Sequence, residues 1–246
     1  MTSDSDPRTA LVTGVARGIG KAIALRLLDD GWRVVGTVRG PAGDLVEQAA
    51  GQPLELIEAD LADDADVARL IVTLRPMGLK ALVHNAGVLH VEDPAAFSLA
   101  DWRDTMQVNV TAPVQLTREL APHLAPGASV VAVASTDGLR GSYDTIAYGV
   151  SKAALINAVA GLGNLLGAVG IRVNAVSPGW IETDMGAKEV AAACDITPLG
   201  RIGTPAEVAA AVAWLVSDDA AFVTGANVVV DGGYIQADNV LKLEAG

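Results

Sequence analysis

The chain is short of cysteine, histidine and positive charge, and each shortage removes a class of function. Its one cysteine, Cys194, cannot form an intrachain disulfide or a cysteine-based metal cluster. It reads as a small buried apolar residue. The three histidines, His84, His90 and His123, do not stand at ligand spacing, so no metal site is expected. Lys and Arg number 17 against 29 Asp and Glu, a net charge of −12. No basic run and no basic-and-aromatic stripe offsets that balance, so nucleic acid is not an expected partner. Solubility alone accounts for the acidity. Met1 to Arg8 is short, polar and acidic, unlike a signal peptide, and the expected compartment is the cytoplasm. The apolar segment after Lys152 is interrupted by Asn157, Asn164 and glycines, which favours a buried helix over a membrane span. There is no internal repeat or low-complexity linker. The 246 residues, 51% hydrophobic, read as one domain over 1–246, with polar tail 1–8 and a patternless tail, 234–246.

What is present centres on the stretch from Ser135 to Lys152. Ser129 to Ala134 is an apolar run that reads as a buried strand. Ser135 therefore stands at a strand's carboxyl end, where open α/β sheets place their ligands. The apolar segment Ala153 to Val169 reads as a helix, with Tyr148 and Lys152 at its start. Spaced by four, those two share a helix face, about 5–6 Å apart at Cβ. A phenol beside an ammonium is expected to ionise more easily than a free one and to serve as a proton donor or acceptor in carbonyl chemistry.

Taken in order, the chain alternates strands and helices, which predicts a parallel doubly wound sheet. Thr9 to Thr13 is a short strand, Gly14 to Gly20 a turn, and Lys21 to Asp30 a helix closed by Gly31. Gly14, Gly18 and Gly20 have the spacing Gly-x3-Gly-x-Gly, and in a strand–turn–helix setting they suit a pyrophosphate held on free amides. The second strand, Arg33 to Val38, ends without the carboxylate that would mark NAD. Thr37 and Arg39 stand there instead. Arg39 and Arg17 either grip a ribose 2′-phosphate through forked hydrogen bonds or lie along the surface; the first reading predicts NADP(H). Leu54 to Glu58 is the third strand, followed by Asp60 and Leu61. Asp60 either accepts from the adenine amino group or caps the next helix. Ala81 to His84 is the fourth strand, and Asn85-Ala86-Gly87 leaves room for a cofactor against its backbone. Asp101 to Arg118 looks like one helix. Asn109 lies inside it, either for a polar task or as an ordinary satisfied residue. Ile171 to Val176 is the sixth strand. Gly186 to Gly203 is the least regular stretch and the expected mobile lid. Thr204-Pro205-Ala206-Glu207 opens a helix with a capping box, and Ala226 to Val230 is the last strand.

These motifs together resemble the short-chain dehydrogenase/reductase family over nearly the whole chain. They comprise Thr13 to Gly20, Asp60, Asn85-Ala86-Gly87, Asn109, Ser135, Tyr148-x3-Lys152, Pro178-Gly179 with Thr183, and Asp231-Gly232-Gly233. The resemblance implies a Rossmann-type sheet of seven parallel strands between helix layers, an αβα sandwich, and a catalytic tetrad of Asn109, Ser135, Tyr148 and Lys152. In that picture Tyr148 protonates the carbonyl oxygen and Ser135 steadies it. Lys152 holds the nicotinamide ribose and lowers the Tyr148 pKa, and Asn109 supports a relaying water. Cofactor contacts would include Gly14, Arg17, Gly18, Ile19, Gly20, Thr37, Arg39, Asp60, Leu61, Asn85, Ala86, Gly87, Tyr148, Lys152, Pro178, Gly179, Ile181 and Thr183.

Within the family, Pro178 to Met185 is most similar to the 3-oxoacyl-carrier-protein reductase branch. The chain departs from that branch at Leu124 to Gly127 and Ala168 to Gly170, which are uncharged where carrier-gripping basic residues are usual. An acidic carrier would be repelled, so a free, largely neutral ketone or secondary alcohol is the expected substrate. His84 stands where Asn is usual and reads as packing. The pocket walls expected beside Ser135 and Tyr148 are Leu89, Thr136, Leu139, Tyr143, Trp180 and Met185. The helix after Lys152 carries no charge from Ala158 to Gly167. Such a helix must be covered, which predicts a homodimer or homotetramer.

Overall fold

The computed structural model describes residues 8–183 and 190–237. Among them, seven strands form one parallel sheet in the order β3-β2-β1-β4-β5-β6-β7. The strands are β1 Thr9–Val12, β2 Arg33–Val38, β3 Leu54–Glu58, β4 Ala81–His84, β5 Ser129–Val133, β6 Arg172–Pro178 and β7 Asn227–Val230. Helices α1 Gly18–Asp29, α2 Leu45–Gln48, α3 Asp64–Leu74, α4 Leu99–Met106, α5 Ala112–Leu120, α6 Ile146–Gly167, α7 Val190–Ile196 and α8 Pro205–Val216 lie between them. The expected doubly wound α/β sandwich is present.

The central strands are apolar on both faces, as a parallel sheet covered twice requires. Along β1, Ala10 and Val12 face a core with Ile23 and Leu27 of α1 and Val212 and Leu215 of α8. Leu11, between them, faces the opposite core with Leu70 of α3, Leu116 of α5 and Leu155 and Leu162 of α6. Strand order reverses between β1 and β4, so a crevice opens at their carboxyl ends.

Polar side chains fix the helix ends. Thr204 and Glu207 form the expected capping box at the start of α8. Arg172 donates to the carbonyls of Leu215 and Ser217 at 2.7 and 3.0 Å, closing the other end with positive charge. Gly31 follows α1 at φ +80, a left-handed stop that suits glycine.

Two helices differ from expectation. The stretch Asp101 to Arg118 is not one α-helix: Gln107–Thr111 widens into a π turn between α4 and α5, with the Ala112 amide reaching back to the Gln107 carbonyl. Pro113 is the physical reason, since it has no N–H for the carbonyl of Asn109 four residues earlier. The stretch Gly186 to Gly203 is also more regular than its composition suggests. Its described part holds α7, and Gly203 bridges in parallel to Ile181. Cys194 is half-buried on that helix.

Helix α6 is the one described helix long and apolar enough to cross a membrane by length and composition. Leu155, Val159, Leu162 and Leu166 are buried in the core beside α5, while Val150 and Leu165 point outward, 42% and 53% exposed.

Candidate active site

The glycine turn after β1 is built by close approach. Gly14 has φ +72, and a Cβ there would lie 3.0 Å from Ala86 Cα. A Cβ on Gly20 would lie 2.1 Å from the Gly14 carbonyl oxygen. Both glycines are therefore demanded by the protein's own packing. Thr37 Oγ1 accepts from the Gly14 amide at 3.1 Å. Asn85 Nδ2 donates to the Thr13 and Gly14 carbonyls at 3.0 and 3.1 Å, and Thr13 Oγ1 accepts from the Asn85 and Ala86 amides at 3.0 Å each. Helix α1 starts from this turn with no side-chain cap and no acid in its first turn. Gly18, Ile19 and Gly20 present its first residues to the cavity. Open amides at the positive end of a helix dipole fit a pyrophosphate.

A cavity of about 820 Å³ runs from this turn along the carboxyl ends of the strands. At its outer end stand Arg17, Thr37, Arg39, Asp60 and Leu61. No carboxylate ends β2, and Asp44, which also lines this end, is paired to Lys21 Nζ at 2.6 Å. Asp60 is not the helix cap: Asp63 caps α3 through the Ala65 and Asp66 amides. Asp60 instead accepts from the Ala62 amide at 3.0 Å while lining the cavity. The middle of the wall is Asn85, Ala86 and Gly87, and the inner end is Pro178, Gly179, Ile181 and Thr183. Those are the expected cofactor contacts, brought together around one space.

Ser135, Tyr148 and Lys152 line the inner end as well. Ser135 Oγ accepts from the Asp137 amide at 3.1 Å, which leaves its proton free to donate. Lys152 is 3% exposed; its Nζ lies 5.4 Å from the centre of the Tyr148 ring and donates to the Val133 carbonyl at 2.9 Å. Asn109 does not reach the cavity with its amide. Its Oδ1 accepts from the Val88 amide at 2.9 Å, and its Nδ2 donates to the Val88 carbonyl at 2.9 Å and to Ser151 Oγ at 3.0 Å. Ser151 Oγ in turn donates to the Tyr148 carbonyl at 2.7 Å. The Asn109 side chain thus ties the loop after β4 to the turn carrying Tyr148.

The protonation balance differs from the expected one. Burial pushes the Tyr148 phenol up to about 12, against the pull of the Ser135 hydrogen bond and with a smaller push from the Asp137 charge. Burial also lowers the Lys152 ammonium to about 8. The net shift of Tyr148 is upward, opposite to the expected acidification, because its burial dominates. His84 is buried, pushed down to about 4 by desolvation, with Nε2 2.8 Å from Thr117 Oγ1.

Of the expected substrate walls, Leu89, Thr136 and Trp180 line the cavity. Leu139 and Tyr143 do not: they are 44% and 92% exposed on the turn before α6. Met185 lies outside the described residues. Sequence reasoning missed Tyr234, a buried wall residue set edge-on to Trp180, ring centres 6.2 Å apart, under the guanidinium of Arg140 at 4.8 Å. Its only signal is its place directly after Asp231-Gly232-Gly233. Those glycines carry the root of the 197–203 segment. Cβ atoms on Gly232 and Gly233, at φ +64 and +90, would lie 2.8 Å from Thr197 Cγ2 and 2.9 Å from Pro198 Cγ.

A parallel sheet with a phosphate-binding turn at its reversal point, opening toward a Ser–Tyr–Lys group, defines a nicotinamide-dependent oxidoreductase class. Residues 14–235 match a family model described as enoyl-(acyl carrier protein) reductase. The chain belongs to the short-chain dehydrogenase/reductase family, whose members bind a nicotinamide cofactor and act on CH–OH groups. It is 36% identical to an uncharacterised short-chain type dehydrogenase/reductase of Sinorhizobium fredii, over 94% of this chain but only 44% of that longer protein. It is 35% identical to cis-4-hydroxycyclohexanecarboxylate dehydrogenase of Sinomonas cyclohexanicum, over 92% of this chain and 96% of the relative. The structure of angucycline C-6 ketoreductase LanV with bound NADP superposes with a TM-score of 0.87 at 30% identity, covering 94% and 96% of the two chains.

Proposed function

We propose that this protein is an NADP(H)-dependent reductase or dehydrogenase of a free, largely neutral ketone or secondary alcohol. One observation carries the reading: a single cavity joins Arg17 and Arg39, at an end where β2 finishes without a carboxylate, to Ser135 and Tyr148 at the other. When bound, the nicotinamide supplies or takes up the hydride. Ser135 Oγ donates to the substrate oxygen and holds it beside the Tyr148 hydroxyl. Tyr148 gives that oxygen its proton in reduction and takes it in oxidation. Positioned donors then meet the oxygen as its charge grows. Lys152, about half protonated near pH 8, restores the proton to Tyr148 with Asn109 holding the local backbone. Arg39 and Arg17, which line the outer end of the cavity, would hold a 2′-phosphate. The walls Leu89, Trp180 and Tyr234 favour an apolar substrate body.

The LanV complex with NADP supports the cofactor assignment, and the cis-4-hydroxycyclohexanecarboxylate named for the Sinomonas enzyme supports a ring secondary alcohol, though that molecule also carries a carboxylate. The uncharged stretches Leu124 to Gly127 and Ala168 to Gly170 argue against an acidic acyl carrier. The test is loss of the reduced cofactor's ultraviolet absorbance with a panel of ketones, using NADPH and NADH in parallel. Turnover with cyclic or aryl ketones and NADPH supports the assignment. A strong preference for an acyl-carrier thioester, or product formed without net cofactor change, overturns it. The outward face of α6 is proposed to pair with a second copy, giving a dimer or a tetramer of dimers; a monomer by light scattering at micromolar concentration contradicts that.

A further inference from the structure

We propose that Glu92 is a positioning residue for Tyr148, acting as the missing N-cap of α6 from a distant part of the chain; the catalytic part of this inference rests on the proposed role of Tyr148. The residue at the N-cap of α6, Thr145, makes no side-chain cap hydrogen bond. The first intrahelical bond runs from the Gly149 amide to the Thr145 carbonyl, so the amides of Ile146, Ala147 and Tyr148 have no partner within the helix. Glu92 Oε1 accepts from the Ala147 amide at 2.6 Å. Ala147 is 4% exposed, so water is a poor substitute for that acceptor. The Glu92 amide donates to the Asp144 carbonyl at 2.7 Å. Residue 92 therefore holds the chain on both sides of the cap.

The adjoining contacts say what this staple does. Tyr148 is the third residue of α6, directly after Ala147. The same loop carries Val88 and Leu89, which line the cavity, and is fixed at its other end by Asn109. Glu92 and Asn109 together clamp the loop to the first turn of α6. The substrate wall and the proton donor are thus set by one rigid unit. A carboxylate at this place also matches the positive end of the helix dipole. Its local sequence, Val91-Glu92-Asp93-Pro94, gives no hint of the role, because the capped amide is 55 residues away.

The experiment compares Glu92→Ala, Glu92→Gln and the unaltered protein, with Tyr148→Phe as control. Amide hydrogen exchange is read for the first turn of α6 and for its middle, Leu155 to Leu162. Glu92→Ala is expected to speed exchange at Ala147 and Tyr148 at least tenfold and to leave the middle unchanged. Its kcat should fall about tenfold or more, with the dissociation constant for NADPH unchanged. Glu92→Gln keeps an acceptor oxygen and should restore more than half of kcat. Unchanged exchange in the first turn overturns the cap. Faster exchange with an unchanged kcat overturns the positioning role alone. A Tyr148→Phe variant that keeps its turnover condemns the proton-donor reading instead, and leaves the exchange result to judge the cap.

Discussion

Lys152 Nζ lies 5.4 Å from the centre of the Tyr148 ring and donates at 2.9 Å to the Val133 carbonyl, on a residue only 3% exposed. A lysine so placed costs the fold stability while it is charged. Burial lowers it to about 8, while its unfolded value stays near 10.5. Between those values the unfolded chain binds more protons than the native one, so stability rises with pH across that window. Below pH 8 the full cost of the buried charge remains.

Lys152→Met is therefore expected to stabilise the protein at pH 7 by about 1–3 kcal/mol, while abolishing turnover. The gap between variant and parent should close between pH 8 and 10.5. Urea unfolding at pH 7 and pH 10 checks both points. A variant less stable than its parent at pH 7 would contradict the assignment.

His84 gives the acid counterpart. It is buried, its Nδ1 has no hydrogen-bond partner, and desolvation lowers it from 6.5 to about 4. The native state keeps it neutral, so stability is intact above pH 6.5 and is lost as pH falls toward 4. The loss should be about 3 kcal/mol over that span. In His84→Asn the dependence should be shallower by this amount. Parallel slopes in the two proteins would show that His84 does not titrate on unfolding.

Cofactor choice is expected to depend on Arg39. Arg39→Ala would remove the proposed charge-assisted contact to the 2′-phosphate. The ratio of kcat/KM for NADPH to that for NADH should fall about 10–100-fold, with the NADH value itself little changed. An equal loss with both cofactors would place Arg39 elsewhere in the binding scheme.

Much of this architecture is legible in the residues alone, and the reasons differ by element. β5 is apolar from Val130 to Val133 and β4 from Ala81 to Val83, as a doubly covered parallel strand requires. The Thr204 box needs only two residues three apart, Thr204 and Glu207, and such local chemistry survives folding unchanged. The break in the helix around Asn109 was also written locally, in Pro113, but a strong apolar period hid it. Tyr234 and Glu92 were out of reach, because each acts on a partner distant in sequence: Trp180 for the one, Ala147 for the other. The direction of the Tyr148 shift is out of reach of the sequence for a further reason. Spacing reveals which charges are neighbours, but burial is a property of the whole fold.

The central claim is that the Tyr148 hydroxyl carries the proton exchanged with the substrate oxygen. Single-turnover reduction of a ketone by Tyr148→Phe, with NADPH affinity measured on the same sample, tests it most directly. The expected result is a rate at least 10²-fold lower with unchanged NADPH affinity. A rate near that of the parent would contradict the account.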